Sequence, residues 1–200
     1  MKNRIITISR EFGSGGRTIG RNVAEKLGIP CYDYELIEKA AEKSGFAKEY
    51  IEEVGEHVAK GGWLANAFSA ERGIYGNLSN RDYVWVVQRK IIKEIAEEGS
   101  CVIIGRCADY ILKDKADCLK VFIYSDMEKR ADRIVKLYGE RDESPEKRLK
   151  DKDKRRKEYY NFYTDMEWGN VHQYNIALDS GTLGIEKCVE IIADLYPQKN

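Results

Sequence analysis

The stretch RIITISREFGSGGRT, residues 4–18, joins a β-branched run to a cluster of glycines. Residues 4–9 read as a buried strand, because Ile5, Ile6, Thr7 and Ile8 suit a pleated, enclosed surface. Gly13 to Gly16 then open a helix that runs to about Leu27, with Ile19, Val23, Ala24 and Leu27 on one face. A phosphate cradle is built at such a junction. It needs inward-pointing amides, a helix N-terminus behind them and a cation. Gly13, Ser14, Gly15 and Gly16 supply the backbone freedom. The P-loop pattern G-x-x-x-x-G-K-[ST] can be laid on the stretch in two registers. In the first, Arg17 replaces the lysine, Thr18 offers the hydroxyl that touches Mg2+, and Glu11 stands at the first glycine. In the second, Gly16 falls on the lysine position and Arg17 on the hydroxyl position. The first is preferred because it keeps a cation and a hydroxyl. A tight turn that binds nothing is the bland alternative.

Beyond the loop, Gly28-Ile29-Pro30 ends the first helix and Ile29 to Asp33 reads as a short strand. Helices are predicted from Tyr34 to about Lys43, and from about Ala47 to Lys60. Residues 61–81 are glycine-rich and show no clear period. A long amphipathic helix covers 82–98 and stops at Gly99. Cys101 to Ile104 is an apolar strand, 107–113 a helical turn, and Leu119 to Tyr124 a further strand. Asp126 is a candidate N-cap for a helix over 127–137. Pro145 starts a highly charged helix reaching about Tyr163. Tyr174 to Leu178 is the last strand and Ile185 to Leu195 the closing helix. Strands alternating with helices predict a parallel sheet covered on both faces. No repeat, linker or low-complexity tail divides the chain, so a single domain over 1–200 is expected.

Composition narrows the function. Lys plus Arg and Asp plus Glu each number 34 in 200 residues, for a net charge of zero. No global field draws the chain to nucleic acid or an anionic membrane, so neither is expected as a partner. The apolar runs are too short to span a bilayer, and the N-terminus enters a strand without an apolar leader. A cytoplasmic protein is expected. The five cysteines are scattered and form no CxxC pair, which suits buried free thiols.

Three further features point at the same crevice. Asp33 lies at the end of the second strand, where ligands of open α/β sheets sit; capping the next helix is its alternative role. Arg106 and Asp109 follow the strand 101–104, and an arginine there suits bidentate phosphate binding. The alternative for Arg106 is a surface pair with Asp109. The segment KRLKDKDKRRKEYYNFYT, residues 147–164, carries Lys154, Arg155 and Arg156 ahead of Tyr159, Tyr160 and Tyr163. Asp151–Arg155 and Asp153–Lys157 have the i,i+4 spacing of a solvated, ion-paired helix. The density of cations suits a mobile lid that brings arginines to a transferring phosphoryl group.

The chain resembles the cytidylate kinase-like family, a branch of the P-loop nucleoside monophosphate kinases. The resemblance is carried by ITISREFGSGGRTIG (6–20), LGIPCYDYELI (27–37), GSCVIIGRCADYIL (99–112), VFIYSDMEKRADRIV (121–135), DKRRKEYYNFYT (153–164) and YNIALDSGTLGIEKCVEII (174–192). It implies a three-layer P-loop kinase fold with a five-stranded parallel sheet of order 2-3-1-4-5, flanked by helices. About 34–81 would form the monophosphate-binding region and about 140–168 a helical lid. It also implies Arg106 on the acceptor phosphate, Asp33 near the acceptor nucleoside, Arg155 and Arg156 in the lid, and Asp179-Ser180 near the donor adenine. The expected reaction is phosphoryl transfer from ATP with Mg2+ to a nucleoside monophosphate, CMP or dCMP foremost. The absent loop lysine motivates one alternative, a nucleotide-binding sensor without catalysis. A kinase of another small metabolite, with its pocket in 45–81, is a third. Oligomeric state is not legible.

Overall fold

The computed structural model describes residues 4–33, 80–115 and 117–196. Its strands are β1 (Ile5–Arg10), β2 (Cys31–Tyr32), β3 (Cys101–Ile104), β4 (Cys118–Tyr124) and β5 (Ile176–Asp179). Its helices are α1 (Gly16–Leu27), α2 (Asn80–Glu98), α3 (Ala108–Ile111), α4 (Met127–Tyr138), α5 (Pro145–Thr164), α6 (Ser180–Leu183) and α7 (Ile185–Asp194). The strands form one parallel sheet in the order β2-β3-β1-β4-β5, as expected. The helices predicted over 34–43 and 47–60 lie outside the described residues.

Strand alternation sorts the side chains into two layers. Ile6 and Ile8 pack with Val102, Ile104, Val121 and Ile123 against Ile19 and Val23 of α1 and Ile192 of α7. Ile5, Cys101 and Ile103 face the other way, onto Ile91, Ile92 and Ile95 of α2. β1 is the middle strand, and Ile5, Ile6 and Ile8 are each 0% exposed. Gly28, in the left-handed region at φ 64°, ends α1 and returns its N–H to the carbonyls of Ala24 and Glu25. Asp126 caps α4 as expected, accepting from Lys129 N at 2.8 Å. The last strand begins two residues later than predicted, because Val171–Gln173 takes a 3-10 turn capped by the Asn170 side chain.

The charged helix α5 departs most from its sequence reading. Its spacing suggests a solvated face that pairs Asp153 with Lys157. Asp153 instead points inward, bonded to the Phe12 amide and to Arg130; Lys157 pairs with Glu167 at 3.6 Å. Leu149, 0% exposed, packs with Ala131 and Ile134 of α4 beside Phe12. Tyr159 and Tyr160 are buried against Cys107, with Trp85, Tyr163 and Trp168 around them. The Tyr160 hydroxyl donates to Asp109 Oδ2 at 2.7 Å, which fastens α5 to α3. In this structure the helix is seated on the body along its length.

The Tyr160–Asp109 bond is buried at both ends, so Tyr160→Phe leaves a buried carboxyl short of a donor. We expect a loss of about 1–3 kcal/mol in urea denaturation. An unchanged midpoint would show that the bond does not hold α5 in place.

Candidate active site

The loop between β1 and α1 is fixed by sterics and by bonds to its carbonyls. Gly13 and Gly15 have φ of 79° and 80°, which L-residues rarely adopt. A Cβ on Gly13 would lie 2.9 Å from the Arg130 carbonyl, and one on Gly15 would lie 2.4 Å from Ile185 Cδ1. Helix α1 starts at Gly16 with no side-chain cap, so its first amides lack intrahelical acceptors.

The carbonyls of the same loop are tied back. Arg10 O accepts from Arg156 Nη1 at 3.1 Å, Phe12 O from Arg130 Nε at 2.8 Å, and Gly13 O from Arg133 Nη1 at 2.8 Å. Ser14 O accepts from the Ser180 hydroxyl. Carbonyl oxygens aimed at an anion would repel it. Holding them against arginines turns that face of the loop away and leaves the amide face for a phosphate.

Arg130 organises this arrangement. It is 4% exposed, and besides Phe12 O it pairs with Glu11 at 3.0 Å and with Asp153. The Phe12 amide donates to Asp153 Oδ1 at 2.7 Å. Burial pushes the carboxyls of Glu11 and Asp153 up, and the charge of Arg130 opposes that rise in both.

At the neighbouring strand end, Gly105, Arg106 and Cys107 have φ of 73°, 58° and 53° in succession. Two consecutive non-glycine residues in the left-handed region store strain, which persists where the surroundings impose it. Arg106 lines a small cavity together with Arg10, Arg156, Tyr159 and Trp168.

The expected site residues separate into those gathered here and those placed elsewhere. Gly13, Ser14, Gly15, Gly16, Arg106 and Arg156 meet at the carboxyl ends of β1 and β3. Arg155 is half-buried on α5. Arg17, expected to stand in for the lysine, directs its Nε to Asp33 at the end of β2. The reason is electrostatic: Asp33 is 5% exposed, and a buried carboxylate requires a partner. Thr18 is exposed on the first turn of α1. Asp109, expected to bind substrate, is 3% exposed and braces the interior, accepting from Ser9 at 3.3 Å and from Tyr160. Burial raises its carboxyl, and those two bonds oppose the rise. Both its oxygens are therefore engaged away from Arg106. Lys154 points outward with a side chain 74% exposed, 3.9 Å from Glu158. Asp179 caps α6, accepting from Gly181 N at 2.9 Å and from the Thr182 hydroxyl at 2.7 Å. The Thr182 hydroxyl foremost holds its carboxyl below the usual range.

Arg10, Arg130 and Arg133 are site residues that sequence reasoning passes over. Arg130 carried a signal: it lies four residues before Ile134, on the buried stripe of α4.

Among the described residues, no group of three His, Cys, Asp or Glu could hold a metal ion, and no helix is long and apolar enough to cross a membrane. A family model described as the cytidylate kinase-like family matches residues 5–182. The chain is 30% identical over 194 residues to a cytidylate kinase of Archaeoglobus fulgidus, covering 94% of this chain and 91% of that protein. It also resembles the crystal structure of an uncharacterized protein from Eubacterium ventriosum, with a TM-score of 0.73, 26% identity and coverage of 98% and 99% of the two chains. Shikimate kinase from Acinetobacter baumannii shares the fold at a TM-score of 0.52 and 16% identity, over 96% of this chain and 92% of that one. The chain belongs to the cytidylate kinase-like family.

Proposed function

We propose that this protein transfers the γ-phosphoryl group of ATP to a nucleoside monophosphate, CMP or dCMP foremost. Family membership and the P-loop kinase fold support a kinase. The observation that carries the reading is the loop itself. Three arginines and Ser180 hold its carbonyls outward, and the uncapped start of α1 stands behind it.

In this mechanism the amides of residues 13–18, apart from that of Ser14, which donates to Glu11 O at 3.3 Å, hold the donor's β-phosphate. Arg106 grips the acceptor phosphate in a bidentate contact. Arg155 and Arg156 of α5 meet the charge that spreads over the transferring group. The buried aromatic wall of Tyr159 and Tyr160 limits water near the reaction, which disfavours hydrolysis. Mg2+ fits as an ion carried on the ATP phosphates. Held mainly by phosphate oxygens and water, it would need few protein ligands, and among the described residues no group of three His, Cys, Asp or Glu could hold a metal ion. The exposed Thr18 hydroxyl would hold it, and it supplies neutralisation of phosphate charge. Arg17 and Asp33 border the acceptor side as a pair, and Asp179 lies toward the donor adenine.

A coupled ADP-release assay with ATP-Mg and a panel of nucleoside monophosphates tests the reading. We expect turnover with CMP or dCMP. ATP binding with no acceptor-dependent ADP release would replace it with the sensor alternative, which the absent loop lysine favours. For Arg106→Ala, we expect the KM for the acceptor to rise by the equivalent of about 1.5–3 kcal/mol, the scale of a charge-assisted contact. An acceptor KM equal to that of the parent would remove Arg106 from this role.

A further inference from the structure

The kinase reading leaves the loop's cation unassigned, because neither register of the P-loop pattern places one over the phosphates. Gly16 has no side chain, and the Nε of Arg17 is held by Asp33. The element boundaries choose between the registers. β1 ends at Arg10, the last left-handed glycine is Gly15, and α1 begins at Gly16. The first glycine of G-x-x-x-x-G-K-[ST] then falls on Arg10, the second on Gly15, the lysine on Gly16 and the hydroxyl position on Arg17, so Thr18 stands one residue beyond the pattern's hydroxyl. The chain thus has a cation where the pattern has glycine, and glycine where the pattern has a cation.

The geometry makes these two exchanges one event. A Cβ on Gly16 would lie 2.5 Å from Arg10 Cβ and 2.9 Å from Arg10 Cγ. The stem of Arg10 therefore fills the space from which a lysine at position 16 would set out. Farther along, a Cβ on Gly105 would lie 2.0 Å from Arg10 Nη1. The guanidinium thus reaches the end of β3, beside Arg106. Strand alternation accounts for the direction: Arg10 shares the parity of Ile6 and Ile8, which face α1, whereas Ser9 faces Asp109. Arg10, Arg106 and Arg156 line the same cavity. Arg156 fixes the Arg10 carbonyl at 3.1 Å and has a buried Nε with no hydrogen-bond partner among the described residues.

We propose that Arg10 supplies, from the end of β1, the phosphate-facing cation that P-loops otherwise carry at the start of the helix. The Arg10 stem occupies the room that a Cβ on Gly16 would need, and its guanidinium closes against Gly105, whose φ of 73° already favours glycine. The inference rests on the kinase reading above. In the transfer, an acceptor phosphate oxygen bonds to the γ-phosphorus as the bond from that phosphorus to the β,γ-bridging oxygen breaks. The electron pair stays on the departing ADP. Arg10 gives up no proton; its guanidinium, which reaches from the end of β1 to Gly105 beside Arg106, meets the charge that collects on the bridging oxygen, with a planar fork where lysine would offer a point charge.

The test uses the full chain with four changes: Arg10→Ala, Arg10→Gly, Gly16→Lys, and Arg10→Gly combined with Gly16→Lys. Calorimetric titration with ATP-Mg and coupled ADP release with CMP are measured for each, with thermal melts. Arg10→Ala should lower kcat/KM for ATP by about 100-fold, the scale of losing one preorganised charge-stabilising donor. Its ATP affinity should fall about tenfold. Gly16→Lys alone should also lose activity, through crowding against Arg10. The combined variant should recover to within about tenfold of the parent, because it returns the cation to the helix. A merely structural Arg10 would give no such recovery. If Arg10→Ala does not fold, Arg10→Gln, which keeps the stem and removes the charge, takes its place. Unchanged affinity and turnover in the single variant would overturn the inference, as would a combined variant no better than Arg10→Gly alone. If the parent binds ATP but forms no product with any monophosphate, the kinase reading fails by itself. ATP affinity then decides: the tenfold loss supports Arg10 as the loop's cation, and equal affinity overturns it. A parent that binds no ATP overturns both.

Discussion

The site depends on one buried guanidinium. Arg130 joins three separate pieces of chain: the loop after β1 through Glu11 and Phe12 O, α4 through its own backbone, and α5 through Asp153. A planar fork with donors on three nitrogens can do this, whereas a lysine at the same place would gather its three donors on one nitrogen. Nearly all of Arg130 is out of water, so its charge is tolerable only because two carboxylates face it. The loop, the seat of α5 and the packing of Leu149 under Phe12 therefore form one unit.

Strand parity explains how one short segment serves two purposes. Ser9 and Arg10 are neighbours in sequence but point to opposite faces of the sheet. Ser9 bonds to Asp109 and through it to Tyr160, so it belongs to the interior scaffold. Arg10 turns to the face of α1, where the phosphate loop lies. The reversal after β3 complements this. Three successive left-handed residues bring the chain close over the Arg10 guanidinium, and the first of them, Gly105, has a φ of 73° that favours glycine.

Most element positions and the parallel sheet were legible in the letters, and the strand order followed from the family resemblance those letters carry. Apolar β-branched runs such as Ile5–Ile8 and Cys101–Ile104 mark enclosed parallel strands, and Gly28 and Asp126 mark helix ends by chemistry confined to a few residues. The phosphate loop was legible for the same reason. The roles of single charged residues were not. Asp153 satisfies i,i+4 spacing with Lys157 whether it faces solvent or Arg130, and spacing cannot distinguish the two. Asp109 follows the Gly-Arg pair at a strand end, the place expected of a ligand-binding residue, yet it is an internal brace, because Tyr160 arrives from fifty-one residues downstream. Arg17 resembles a lysine substitute until the burial of Asp33 claims it. In each case the deciding partner comes from a distant part of the chain.

The overlap between a Cβ at position 16 and the stem of Arg10 has an evolutionary corollary. The two positions have room for one side chain between them, so their substitutions are strongly non-additive. Moving from one layout to the other by single replacements passes through either an overcrowded loop or one stripped of its long side chain. The two layouts thus differ by a paired exchange: either change alone leaves the loop with two stems or with none, so positions 10 and 16 are expected to vary together among related loops.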